Sequence, residues 1–118
     1  MNIEHRQVDG VTVVNLSGRI DTASSGDVMD QLNGPVNAGA TRLIVNLKDL
    51  TYISSAGLRS ILVAAKMTKT LNGGMRLCEP NALVSKTLEV SGFDNLIKID
   101  SLESQSLEAF RGDRPPAS

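Results

Sequence analysis

Residues 43–71 constrain the fold of this chain more than any other stretch. Leu43-Ile44-Val45-Asn46-Leu47 is almost unbroken apolar sequence, too continuous for a strand with one wet face, and predicts a strand covered on both sides. Asp49-Leu50-Thr51-Tyr52-Ile53 then leads through a short loop to two adjacent hydroxyls, Ser54 and Ser55, and to Ala56-Gly57. Leu58 to Leu71 follows with the composition of a helix that stops at Asn72-Gly73-Gly74. Ser54 or Ser55 is the expected N-cap, its oxygen accepting from N–H groups that have no partner inside the helix. That end of a helix also tolerates added negative charge, so a phosphate on Ser55 is well placed. Leu58, Ile61, Leu62 and Ala65 make an inward stripe; Val63 and Met67 fall off it and are expected to leave apolar surface for a docked partner.

The rest of the chain reads as alternating strands and helices. Ile3 to Val8 and Val11 to Leu16 flank Asp9-Gly10, a two-residue hairpin signal, so the chain opens with an antiparallel pair. Val28, Leu32 and Val36 keep helical spacing, with a kink or break expected at Gly34-Pro35 and a stop at Gly39. A strand from Met75 to Cys78 is followed by a helix near Asn81 to Val90, capped by Asn81 after Pro80. Ile97 to Ile99 predicts a last short strand and Ser101 to Phe110 a terminal helix. The sum is an α/β sandwich: a mixed sheet, opened by a hairpin and covered by about four helices. Residues 1–111 are expected to form one domain and 112–118 a loose tail.

Composition narrows the function. The formal net charge is −1 and aromatic content is 3%, without tryptophan, which is neither the basic balance nor the basic-aromatic interleaving of a nucleic-acid binder. No secretory signal opens the chain and no run is dry and long enough to span a bilayer, so a cytoplasmic protein is expected. Cys78 is the single cysteine and His5 the single histidine, far apart in sequence, so neither a disulfide nor a metal cage is expected, and Cys78 reads as a buried small hydrophobe. A serine on a strand-to-helix turn suggests a hydrolase nucleophile elbow, but Ile53 stands where Gly-x-Ser-x-Gly needs glycine and only His5 is available as a base. Gly73-Gly74 follows a helix instead of opening one, so it is no phosphate loop. The expectation is a non-enzymatic protein without cofactor.

The segment from Leu43 to Leu47 through Tyr52-Ile53-Ser54-Ser55-Ala56-Gly57-Leu58-Arg59 resembles the signature of the STAS domain, and specifically of bacterial anti-sigma factor antagonists. Leu16-Ser17-Gly18-Arg19-Ile20-Asp21 resembles the family's second strand and turn, and Leu77-Cys78-Glu79-Pro80 its fourth strand and exit. The resemblance runs from about Ile3 to about Phe110. It implies that an anti-sigma factor that is also a serine kinase phosphorylates Ser55, that a PP2C-type phosphatase reverses this, and that phosphorylation ends binding. The family commonly has aspartate where Ser54 stands, which makes Ser54 a competing phosphoacceptor. Arg19, Asp21, Ser54, Ser55, Ala56, Gly57, Leu58, Arg59, Val63 and Met67 are the expected partner-binding residues of a monomer. Arg59, four residues after Ser55, shares its helical face. The other reading of the same resemblance is an accessory subunit of a membrane transporter or lipid-transport complex without a phosphorylation cycle.

Overall fold

Asp9 and Gly10 both take positive φ, 52° and 78°, as a two-residue turn matched to the twist of its strands requires. In the computed structural model, which describes residues 1–112, they join β1 (Asn2–Val8) to β2 (Val11–Ile20), antiparallel, with Val8 opposite Val11. β2 pairs in parallel with β3 (Arg42–Ile53), β3 with β4 (Gly74–Cys78) and β4 with β5 (Lys98–Asp100). The sheet order is β1-β2-β3-β4-β5. Helices α1 (Ser25–Asn37), α2 (Ser55–Thr70), α3 (Ala82–Val90) and α4 (Glu103–Gly112) follow β2, β3, β4 and β5 in turn. This is the expected mixed α/β sandwich; residues 113–118 of the expected tail lie outside the described residues.

β3 divides the core. Leu43, Val45 and Leu47 enter a large cluster with Val28, Leu32 and Val36 of α1, Ile61 and Ala64 of α2, and Val84 and Leu88 of α3. Ile44 enters a smaller one with Val11, Val13, Cys78 and Phe110 of α4. Side chains alternate along a strand, so a run buried on both faces needs cover on both, and α4 supplies the second. Cys78 is buried as expected, and burial first, then the nearby Glu103, Glu79 and Asp100 carboxylates, push its thiol up to about 12. No described helix is long and apolar enough to cross a membrane.

Three expectations need correction. β2 runs on to Ile20 and β3 to Ile53, because their ladder continues through irregularities between Asn15 and Ser17 and between Gly18 and Arg19. Lys48, Asp49 and Thr51 look like loop residues, but they are exposed positions of a continuing strand. The expected loop before Ser54 is therefore absent. The helix is also not broken at Pro35. Proline removes the N–H that would bond the Gln31 carbonyl, and Nε2 of His5 on β1 donates to that oxygen instead, at 3.0 Å. Finally, a short 3-10 turn at Phe93–Asn95, which the sequence pattern did not indicate, precedes β5 and buries Phe93.

Candidate functional site

At the top of the sheet the chain passes from strand to helix in a single residue. Ser54 is extended, its amide donates to the Ile20 carbonyl at 2.8 Å, and its Oγ accepts from the Gly57 amide at 3.1 Å. It is buried, with 9% of its surface exposed. Ser54 is thus the N-cap, which decides between the two serines. Ser55 is the first helical residue and is exposed, its hydroxyl free of capping duty. The two hydroxyls are adjacent in sequence and opposite in situation.

Gly57 fixes how closely α2 meets the sheet. A Cβ there would lie 2.7 Å from Cγ2 of Ile20 and 2.9 Å from Cγ1 of Ile53, so the helix seats on the two strand ends only because the side chain is absent. Leu58 turns inward at 6% exposure, Ala56 is half-buried, and Arg59 is exposed one turn beyond Ser55. The other end of α2 is held by a second glycine: a Cβ on Gly73 would be 1.8 Å from the Thr41 carbonyl oxygen.

The inward face of α2 differs from the expected stripe. Gly57, Leu58, Ser60, Ile61, Ala64 and Thr68 are buried, whereas Leu62 and Ala65 are half-buried. Two hydroxyls sit on this face because each satisfies itself against backbone: Ser60 donates to Ser25 of α1 at 2.8 Å, and Thr68 to Ala65 at 2.7 Å. Val63 and Met67 lie off the buried face of α2, as expected, but as groove lining and not as open surface. Both are half-buried, Met67 packs on the edge of the core, and together with Asn37, Lys66, Thr70 and Leu71 they line a groove of about 390 Å³ between α1 and α2. They are two and three turns from Ser55, about 12 and 18 Å along the axis. The helix therefore separates them from the serine instead of joining them to it.

Arg19 and Asp21 do reach this edge. Arg19 stands opposite Tyr52 in the β2–β3 ladder and lays its guanidinium over the ring, 4.4 Å from the centroid. Asp21 begins the turn into α1. Its carboxylate accepts from the amide and hydroxyl of Ser24 at 2.9 and 3.0 Å, which holds it below the ordinary aspartate range, the backbone bond contributing most.

The sequence reading missed the far wall of the site. Tyr52, Ile53, Ser54, Ser55 and Leu58 share a groove of about 350 Å³ with Lys86, Thr87, Val90 and Ser91 of α3. Val90 is 76% exposed and Leu83, one stripe with it, 63%. α3 is held there by Asn81, which caps it through the Val84 amide at 2.9 Å and donates to the Leu50 carbonyl of β3 at 2.7 Å. A signal existed: with Val84 and Leu88 facing the core, Leu83 and Val90 are apolar residues that the inward stripe does not use. Tyr52, the single tyrosine, lies inside the strand-to-helix motif itself.

Comparison with known proteins agrees with this geometry. The STAS domain family model matches residues 2–105. The BtrV protein of Bordetella bronchiseptica, described as a candidate anti-sigma factor antagonist, is 31% identical over 111 residues, covering 94% of this chain and 96% of its own length. The anti-sigma F factor antagonist of Paenibacillus polymyxa is 30% identical over 108 residues, covering 91% and 92%. Among solved structures, the unphosphorylated form of the anti-sigma factor antagonist SpoIIAA superposes with a TM-score of 0.80 at 22% identity, covering 94% and 97% of the two chains.

Proposed function

The chain belongs to the STAS domain family, and on that premise we propose that it is an anti-sigma factor antagonist that works as a phospho-switch at Ser55. The observation that carries this reading is the division of labour between the two serines: Ser54 is buried and committed to capping α2, and Ser55 is exposed beside it at the helix mouth. In the unmodified state the protein binds an anti-sigma factor that is also a serine kinase, through the Ser55 turn, the start of α2 and the Arg19–Asp21 corner. Phosphorylation ends that binding, and a PP2C-type phosphatase restores it. The protein acts as a monomer and performs no chemistry of its own. The domain comprises residues 1–111.

The mechanism is local. A phosphate brings about −1.5 to −2 charge, and at a helix N-terminus such charge favours the folded state by about 0.3–1 kcal/mol. Inside a docked interface the same group must lose water against a surface shaped for a hydroxyl, at a cost of several kcal/mol unless a cation answers it. A hundredfold loss of affinity needs about 3 kcal/mol. Incubation with the copurifying kinase and ATP, followed by peptide mass spectrometry, tests the assignment. A single phosphate on Ser55 is expected; labelling that persists in Ser55→Ala and disappears in Ser54→Ala would overturn it.

A further inference from the structure

The groove that Ser55 shares with α3 has one charged side chain in its lining, Lys86. Around it stand the apolar surfaces of Tyr52, Leu58 and Val90 and the hydroxyl of Thr87. We propose that Lys86 is the built-in counter-cation of phosphorylated Ser55, and that their ion pair across the groove closes the docking surface from within. The inference rests on Ser55 being the modified residue.

Both partners are held on β3. Ser55 is fixed at the first position of α2 by the Ser54 cap directly after the strand, and α3 is tied to the Leu50 carbonyl by Asn81 and to the core by Val84 and Leu88. Lys86 is exposed, and an ammonium on a flexible four-carbon stem reaches a new anion by changing rotamer, with no movement of the backbone. The other charges at this edge are differently placed. Arg19 lies over the Tyr52 ring, and Asp21 accepts from Ser24. Arg59, one turn along α2, shares the helical face of Ser55 and is the competing cation, but it does not line the groove; nor does Glu89 of α3, and Tyr52 is the remaining titratable group of the lining.

The consequence is that modification acts twice. It adds negative charge at the mouth of the groove, and it takes up the cation that a carboxylate of a docked partner would otherwise use. The phosphorylated groove then carries negative charge at its mouth, and its one lysine is engaged.

The test needs no kinase. Phosphoserine is encoded genetically at position 55 and its second ionisation is followed by phosphorus NMR across pH, an ionisation that lies near 6 without neighbours. A nearby cation favours the dianion, so the midpoint is expected below that value, about half a pH unit higher in Lys86→Gln, and low again in Lys86→Arg. Arg59→Gln is expected to move it less than Lys86→Gln does. Equal midpoints in the parent and Lys86→Gln, or a larger effect from Arg59→Gln, would overturn the proposal. Amide spectra of each variant report whether the fold is kept. Because the phosphate is built in, failure of a kinase to label Ser55 would sink the functional reading and leave this pairing standing.

Discussion

Nε2 of His5 donates to the carbonyl oxygen of Gln31, the acceptor that Pro35 leaves without its helical donor. An edge strand thus supplies a bond that α1 cannot make for itself. The two positions are expected to be coupled. His5→Ala should cost about 0.5–1.5 kcal/mol in the parent, the usual net worth of one hydrogen bond, and measurably less in a Pro35→Ala background, where the helix regains its own donor. Urea denaturation of the four proteins measures the coupling; strict additivity would show that the contact carries no energy.

Glycines within helices should respond in opposite directions. Gly57→Ala forces a methyl against Ile20 and Ile53 and is expected to destabilise by about 1–3 kcal/mol, despite alanine's better helix propensity. Gly26→Ala, at an exposed position of α1, meets nothing within 4 Å and is expected to stabilise by about 0.5–1 kcal/mol. Thermal melts of both variants decide the matter.

The two serines should separate stability from signalling. Ser54→Ala removes the cap and is expected to cost about 0.5–2 kcal/mol while leaving a phosphoacceptor in place. Ser55→Ala is expected to change stability by no more than about 0.5 kcal/mol and to abolish labelling. Kinase assays run beside denaturation curves check both halves.

Substitutions on the two grooves should likewise diverge. Met67→Glu places a carboxylate at the half-buried edge of the core and is expected to lower stability by more than about 1 kcal/mol. Val90→Glu, on an exposed position, is expected to leave the melting curve nearly unchanged and to weaken kinase binding by calorimetry. Unchanged binding with Val90→Glu would remove α3 from the docking surface.

Acid should unfold the protein through the α4 face of the sheet. Arg76 clamps Asp100 through Nε and Nη2 at 2.8 and 3.1 Å, which holds that carboxylate below its ordinary range, and the Ser106 hydroxyl adds to the effect at 2.6 Å. Burial raises the pKa of Glu103, but bonds from Arg6 and Asn46 outweigh it and the net shift is downward. A folded-state pKa below the unfolded one gives stability that is complete above the unfolded value and is lost as pH falls through the folded one. Stability is therefore expected to decline from about pH 5 downward. Asp100→Asn should be less stable at neutral pH and show a flatter acid limb in urea midpoints measured across pH.

The local sequence determined much of this protein. The Asp9-Gly10 turn, the doubly buried run from Leu43 to Leu47, the Asn81 cap and the serine pair ahead of α2 each follow from short-range rules: turn chemistry, side-chain alternation and the need to satisfy the first amides of a helix. Local rules do not distinguish the two serines as caps, because both spacings satisfy them; packing selects Ser54 by drawing Gly57 against Ile20 and Ile53. Tertiary structure also decided what no window of sequence contains. The β2–β3 ladder extended two strands through charged residues, and His5 rescued a proline 30 positions away. The inward face of α2 admitted Ser60 because the Ser25 carbonyl of α1 came within reach, and Val63 and Met67 border the groove that α2 shares with the end of α1. The partner wall of the Ser55 groove came from α3, some 30 residues downstream, because Asn81 ties the start of that helix to the Leu50 carbonyl and so packs α3 against the far end of β3. Short-range chemistry names the elements and their caps; only the sheet order decides which side chains from distant elements face one another.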